Sequence, residues 1–360
     1  MKKTGMEIYN ELLPRHFVGQ DLLPLIKLNQ STYNGREISE NKYLEWEYFQ
    51  NPDGTAVITT IEAVNNVVSQ FIILPHFFSI NGKIQKGSLS VNTLTHPDYR
   101  KRGLFEKLAK ETFNRCPEKE ILFTIGFPNS ESQPIIEKKQ IFERVGCLPL
   151  LFIPLNPIKS LFKYVLNKSV RTGDEIDINI SDCSVLSNSP ITIFNFTTDS
   201  DIYEKFLQKY NSEKQNITFR SLKYLQWRYN KIPKRKYQIL KYQRENKIEA
   251  LGIIRTKYIF GLRCAIIIDL ICLIDSKGID NLLDAIYKLA IKNKIDLLLT
   301  TVPSHSNEYK LLKNFGFYSM PQMLLPQKLV FYVKHHTPDC PEQISDFQKW
   351  FLTFGDYDIF

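Results

Sequence analysis

Hydrophobic and polar positions change period several times along this chain. From Leu104 the period is helical: Leu104, Phe105, Leu108 and Ala109 share one face, while Lys107, Lys110 and Glu111 lie elsewhere on the cylinder. Just upstream, the residues from Ser90 to Thr95 read as a strand and His96-Pro97-Asp98-Tyr99 as a tight turn. Further strand-like runs cover Ala56 to Ala63, Ile121 to Phe127 and Ile295 to Pro303.

The pattern occurs twice. Tyr43-Leu44-Glu45-Trp46-Glu47-Tyr48 precedes Pro52, and Tyr224-Leu225-Gln226-Trp227-Arg228-Tyr229 precedes Pro233 at the same spacing. A hairpin signal follows each, at Asn81-Gly82 and Phe260-Gly261. Then come a strand and a helix opening near Gly103 or Gly278. An apolar strand ending in Pro128 or Pro303 is next, and a helix with Gly146 or Gly316 closes each copy. Five landmarks in one order predict two related α/β modules in tandem. The tryptophans serve both as register marks and as core anchors.

Between the modules Asn156 and Pro157 can open a helix with Ile158, Leu161, Phe162 and Val165 on one face and Lys159, Lys163 and Lys168 elsewhere. Docking on the protein's own core or peripheral contact with a membrane would each use such a face. Residues from Ser169 to Pro190 read as a polar connector. The tail, with Trp350, Phe351, Phe354 and Tyr357, is expected to pack back onto a module. The expected division is 1–155, first module; 156–194, basic helix and connector; 195–334, second module; 335–360, tail.

Composition narrows the class. Across 360 residues, 43% hydrophobic and 24% charged content is that of an ordinary globular protein. No apolar run reaches membrane-span length, so no integral membrane association is expected. The N-terminus lacks an apolar signal core, and six cysteines contain no Cys-x-x-Cys pair, which suggests reduced thiols in a cytoplasm. A net charge of +9 favours an anionic ligand. No recognition motif for DNA accompanies it.

The chemistry concentrates at Arg100-Lys101-Arg102-Gly103. A helix start presents unpartnered backbone N–H groups and the positive end of a dipole. Following a strand and carrying three cations, it is a socket for phosphate. Gly103 lets a ligand approach the backbone. The second copy offers Ile274-Asp275-Ser276-Lys277-Gly278-Ile279, an acidic residue and one lysine, and is a poorer site.

Arg100-Lys101-Arg102-Gly103-Leu104-Phe105, after its strand and His-Pro turn, resembles the coenzyme A motif of the Gcn-related N-acetyltransferases, the GNAT superfamily. Phe105 departs from the small residue usual at the last position. The resemblance is specific from about Asp53 to Pro149 and loose from Asn195 to Pro326. It implies two tandem modules, each a mixed, mostly antiparallel twisted sheet flanked by helices, with the first intact and the second degenerate. It implies acetyl-CoA as cosubstrate, without a metal. Backbone groups of Thr93, Leu94 and Thr95 would pair with the pantetheine arm, and those from Arg100 to Phe105 would take the pyrophosphate. Asn129 matches an asparagine that fixes the cofactor arm, and it can equally cap the following helix.

The acid and base are less legible. The tyrosine that many members carry seven residues after that asparagine is Ile136 here. Ser130 and Ser132 are the nearby hydroxyls, Asn92 a polar group of the cofactor strand, and Glu62 the nearest carboxylate by sequence plan. In tandem acetyltransferases of the enhanced-intracellular-survival type the terminal carboxylate enters the active site, which points to Phe360. His335, His336 and Cys340 lack a second cluster that would complete a metal site. Ser304-His305-Ser306 lacks a nucleophile elbow, and there is no phosphate-binding loop of the Gly-Lys-Ser/Thr type.

The expected function is an acetyl-CoA-dependent N-acyltransferase whose small-molecule amine attacks the thioester directly. The acceptor expected by association with the family is an amino sugar, a nucleotide-linked amino sugar or another small amine. Two alternatives stay open: a catalytically inactive acyl-CoA-binding or scaffolding protein, and an aminoacyl-tRNA-dependent transferase of the peptidoglycan-bridge type. A homo-oligomer is also open.

Overall fold

The computed structural model describes residues 12–19, 22–33, 35–156, 175–176, 190–274, 277–325 and 327–357. The expected basic helix from Pro157 to Lys168, most of the connector, and Phe360 lie outside them.

The first half of the chain contains β1 (Pro14–His16), α1 (Leu23–Tyr33), α2 (Asn41–Phe49), β2 (Val57–Ala63), β3 (Asn66–Ile80), β4 (Lys83–Thr95), α3 (Leu104–Asn114), β5 (Phe123–Gly126), α4 (Gln133–Lys139), β6 (Glu143–Leu148) and β7 (Leu151–Pro154). The second contains β8 (Ile191–Ile193), α5 (Ser200–Glu213), β9 (Asn216–Thr218), α6 (Leu222–Leu225), β10 (Gln238–Arg244), β11 (Lys247–Ile259), β12 (Leu262–Cys272), α7 (Gly278–Lys292), β13 (Leu297–Thr300), α8 (Asn307–Phe315), β14 (Tyr318–Ser319) and β15 (Leu329–His335). Apart from the extra strand β9, the order is the same in both halves, as the repeat predicts. Both expected hairpins form, and Phe260 adopts the same left-handed backbone as Asn81, at φ 46° and 49°.

Two sheets result. In the first, the path is β1-β2-β3-β4-β5-β15-β6, with β9 added on β3; in the second it is β14-β7-β13-β12-β11-β10-β8. Among the described strands of these two sheets, only the β4–β5 and β12–β13 neighbours run parallel. The first sheet therefore receives β9 and β15 from the second half of the chain, and the second sheet receives β7 from the first half. β15 lies between β5 and β6, antiparallel to both, and β7 lies between β13 and β14 in the same way. The expected cuts at residues 155 and 334 follow the chain and not the sheets: β7 precedes the first cut yet pairs in the second sheet, and β15 spans the second cut yet pairs in the first. Alternating apolar positions mark a segment as a strand, but its pairing edge depends on which edges the rest of the fold leaves open.

The core follows this exchange. One cluster packs α3 against the outer face of the first sheet, through Leu104, Leu108, Phe71, Ile73 and Val57. A second runs continuously from the inner face of the first sheet into the second module, joining Leu74, Phe78 and Leu89 to Trp227, Leu240 and Ile266. Tail residues Trp350, Phe351, Phe354 and Tyr357 are buried in that shared core. The expected return of the tail is thus seen, and it lands between the modules.

Pro75, in the middle of the long strand β3, has a local reason. β2 pairs with β3 only as far as Ile73, and β9 begins at Phe78. The missing proline N–H faces the gap, where it costs no ladder bond. The loop before β2 covers this gap: Asn51 donates to the Pro75 carbonyl at 2.7 Å, and Asp53 accepts from the Phe77 N–H at 3.2 Å.

Candidate active site

β4 and β5 pair only where Ser88–Ser90 meet Thr124–Gly126. β4 then continues to Thr95 with no strand beside it on that edge among the described residues. Its other edge stays on β3, through a bulge between Gln70 and Ile72. The V-shaped slot that opens exposes the β4 backbone from Val91 to Thr95, which includes the expected residues Thr93, Leu94 and Thr95. An extended ligand can add there as a strand. The Leu94 side chain is buried in the core, and the Thr95 hydroxyl bonds Ser69 at 2.7 Å, so what these residues offer the slot is main chain.

Asn92 sits in the bulge, with a left-handed φ of 46°. Gln70 donates to its carbonyl at 2.8 Å. The Asn92 amide donates to Glu47 Oε2 at 2.5 Å and to the Tyr48 hydroxyl at 2.9 Å. Glu47 is 2% exposed and also accepts from Tyr43 at 3.5 Å. The carboxylate beside Asn92 is therefore Glu47. Glu62 lies two strands away on β2, half-exposed, 3.8 Å from Arg15.

The slot leads to the basic turn. His96 accepts from the Asp98 N–H, Arg100 donates to the Thr95 carbonyl at 3.2 Å, and Arg102 donates to the Asp98 carbonyl at 2.8 Å while its guanidinium covers the Tyr99 ring. Lys101 and Gly103 are exposed, and both take left-handed φ, 63° and 73°. Gly103 caps α3, and a Cβ there would meet no atom within 4 Å, so the space over the helix start is open. Leu104 is buried. Phe105 turns inward and meets Phe71 edge-on at 5.6 Å, which explains how a bulky residue fits at the motif's small position. The splayed main chain, the open helix start and its cations fit a nucleotide thioester with an extended arm and a pyrophosphate.

At the far wall, Asn129 uses its side-chain oxygen to accept from the Glu131 and Ser132 N–H groups at 3.0 and 2.9 Å, and from the Ser132 hydroxyl. It caps the turn before α4, one of its two expected roles. Ser130 is exposed on that turn. Phe127, just after β5, stacks on Tyr357 with centroids 3.8 Å apart, and Arg228 donates to the Tyr357 carbonyl at 2.7 Å. The tail thus reaches the slot at Tyr357; the expected terminal group at Phe360 lies outside the described residues.

Next to the slot is a cavity of about 20 Å³ between the modules, walled by Trp46, Glu47, Leu89, Trp227, Arg228 and Tyr357 among others. His76 also reaches it, with Asp53 3.4 Å from its Nδ1. Glu47, His76, Arg228 and Tyr357 escape a reading of the sequence as site residues. The signal for two of them is present, since Glu47 and Arg228 each follow a repeat tryptophan.

The matching slot of the second module is filled by the chain itself. β12 and β13 pair at Cys264–Ile266 and Leu297–Leu299, and Thr300 then bonds the Ile267 carbonyl at 3.1 Å. Thr353 of the tail donates to Asp269 at 2.9 Å. Asp269 also takes Arg220 at 2.5 Å and Tyr229 at 3.1 Å.

Residues 21–146, which contain the slot, the bulge and the basic turn, match the family model for an Acetyltransferase (GNAT) domain. This region is a GNAT domain. No relative was found among curated protein sequences. Among solved structures, a GCN5-related N-acetyltransferase from Anabaena variabilis ATCC 29413 superposes with a TM-score of 0.61 at 13% identity, over 90% of this chain and 73% of that one. Saccharomyces cerevisiae N-myristoyltransferase with bound myristoyl-CoA gives 0.59 at 13% identity, over 90% and 79%. At such identities these likenesses establish the fold, a GNAT domain joined to a second module of the same plan. No described helix is long and apolar enough to cross a membrane, and no described cluster of His, Cys, Asp and Glu could hold a metal.

Proposed function

We propose that the protein transfers an acyl group from acyl-coenzyme A to a primary amine at the β4–β5 slot of its GNAT domain. The observation that carries this reading is the open slot, with the Asn92 bulge at its mouth and the cationic α3 start at its end. The main chain of Thr93, Leu94 and Thr95 holds the pantetheine arm. The backbone from Arg100 to Phe105, with the Arg100, Lys101 and Arg102 charges, holds the pyrophosphate. Bound acyl-CoA supplies an activated carbonyl and a thiolate leaving group stable enough to depart with little acid help. The Asn92 bulge fixes main chain near that carbonyl. The tail closes the slot beside Phe127. Glu62, two strands from the slot, has no part in the transfer in this arrangement.

The acyl chain length is set by the slot's depth past Leu89, so acetyl-CoA and myristoyl-CoA are both informative ligands; the yeast neighbour holds the latter. Calorimetric titration of each tests the reading, beside a variant combining Arg100→Glu, Arg102→Glu and Gly103→Val. Binding that the variant loses supports the site. Release of free thiol with an amine separates an enzyme from an inactive acyl-CoA binder. If the wild-type protein binds neither thioester, the reading fails, and tRNA becomes the next ligand to try.

A further inference from the structure

We infer that the junction of the two modules holds an oxyanion site, in which Arg235 and Lys257, beside Arg255, take a carboxylate or phosphate group. Only the acceptor arm of its test rests on the acyl-CoA reading; the site itself does not.

Separate stretches of chain meet in this cluster. Arg255 and Lys257 stand two residues apart on β11, so their side chains leave the sheet on one face. Arg235 comes from the loop before β10, and Glu37 from the turn between α1 and α2. Glu175 pairs with Lys257 as an isolated bridge.

The charges do not cancel. Glu37 is committed to Arg235, at 2.7 Å from Nε and 2.6 Å from Nη2. Glu175 is committed to Arg255, accepting from its Nε at 2.8 Å. Lys257 makes no hydrogen bond or ion pair among the described residues. Three cations against two carboxylates leave one positive charge over. The two arginine side chains are only 7% and 5% exposed, so that excess sits where desolvation makes it costly. Their carboxylate partners are 27% and 22% exposed, which gives the cluster an edge open to solvent.

Hydrogen bonding is short as well. Arg235 Nη1 is buried without an acceptor among the described residues, an arrangement that native proteins rarely leave. A water molecule satisfies the N–H but leaves the charge. An oxyanion answers both, with one oxygen for Arg235 and another for Lys257. Burial, and next the charges of Arg255 and Arg235, hold Lys257 down at about 8 from an ordinary 10.5, against the opposing pull of Glu175 and Glu37. A bound anion pushes it back up.

The site adjoins the acceptor side of the slot. Arg235 Nη2 also donates to the Tyr43 hydroxyl at 3.5 Å, and the Tyr43 ring packs on Trp46, a wall of the cavity beside the slot. A free ion and an acidic group on the acceptor amine meet the same donors there.

Trace labelling of the full chain with acetic anhydride across pH, read by mass spectrometry, reports the Lys257 pKa without any acyl-CoA chemistry. Inorganic phosphate is compared with chloride at equal ionic strength. We expect phosphate to raise that pKa by about one unit, which slows labelling at pH 8 about fivefold. Lys234, exposed and paired with Glu40, is the internal reference and should not change. Arg235→Lys keeps the charge but loses the guanidinium fork, and should blunt the phosphate effect. Labelling of Lys257 that phosphate leaves unchanged, equal slowing of Lys234, or a Lys257 pKa near 10.5 in chloride each overturns the site. Thiol release from acetyl-CoA with 4-aminobutyrate and butylamine then separates the sources. A KM tenfold or more lower for 4-aminobutyrate, with a gap that Lys257→Met closes, makes the acceptor the carrier of the anion. Equal KM values with the phosphate effect intact make the ligand a free ion. No thiol release from either amine overturns the acyl-CoA reading instead, and the labelling result stands apart from it.

Discussion

Trp46 and Trp227 stack face to face across the module boundary, with ring centroids 4.7 Å apart and planes 15° from parallel. Each indole N–H donates to the other's carbonyl, at 2.9 and 3.0 Å. The two marks of the sequence repeat therefore touch. One sits in a regular helix, the other in a widened π turn over Gln226–Asn230.

Because the bonds are reciprocal, either Trp→Ala change removes a buried ring and also the indole hydrogen bond to its partner's carbonyl. Each single change is expected to cost about 3–5 kcal/mol. The double change should cost less than the sum, by about 0.5–3 kcal/mol. Urea unfolding of the four proteins measures the difference, and strict additivity would show that the pair does not couple the modules.

Arg220 is 1% exposed and joins Asp269 at 2.5 Å to Asp356 at 3.1 Å, which ties the tail to the second module. Arg220→Met leaves two carboxylates buried without their cation. A loss of about 3–5 kcal/mol follows, with proteolysis of the tail as its local signature. A change under 1 kcal/mol in denaturant unfolding would mean that water reaches the cluster.

Gly355 lets the tail pass close to this cluster. A Cβ there would lie 2.5 Å from the Tyr229 hydroxyl and 2.8 Å from Asp269 Oδ2. Both are fixed by their own hydrogen bonds. Gly355→Ala is expected to cost about 1–3 kcal/mol and to loosen the wall of the cavity it lines. Tm and thiol-release rates report the two effects separately.

His336 should shape the acid limb of stability. Burial, and next the Lys334 charge, pull its pKa down to about 3 from an ordinary 6.5. Between these values the unfolded chain binds a proton that the folded one does not, so stability falls as pH drops from about 6.5 toward 3. The slope due to this group is at most about 1.4 kcal/mol per pH unit. His336→Gln can keep a bond to Thr124, now 2.6 Å from the ring, without this titration. Its stability curve should be flatter below pH 6.5, and an unchanged curve would place the acid sensitivity elsewhere.

The basic turn was legible because its chemistry is contiguous: strand, turn, Gly103 and amphipathic helix are local, and each is set by neighbours within a few residues. The return of the aromatic tail was legible from its apolar content. Glu47 was not, although it stands in the repeat itself. Its place in the site depends on Asn92, 45 residues later, and on walls supplied by Tyr224, Trp227 and Tyr357. Glu62 attracted attention as a carboxylate on a nearby strand, yet β3 separates its strand from β4.

Periodicity and turn chemistry thus specify the elements, their repeated order and the anion-binding helix start, since those depend on short-range sterics and backbone hydrogen bonding. The exchange of β7 and β15, the tail's choice of the second module's slot, and the meeting of Glu47 with Asn92 were settled only in three dimensions. Sheet edges and buried charges find partners by geometry, and residues far apart in the chain become neighbours only once the shared core between the modules has closed.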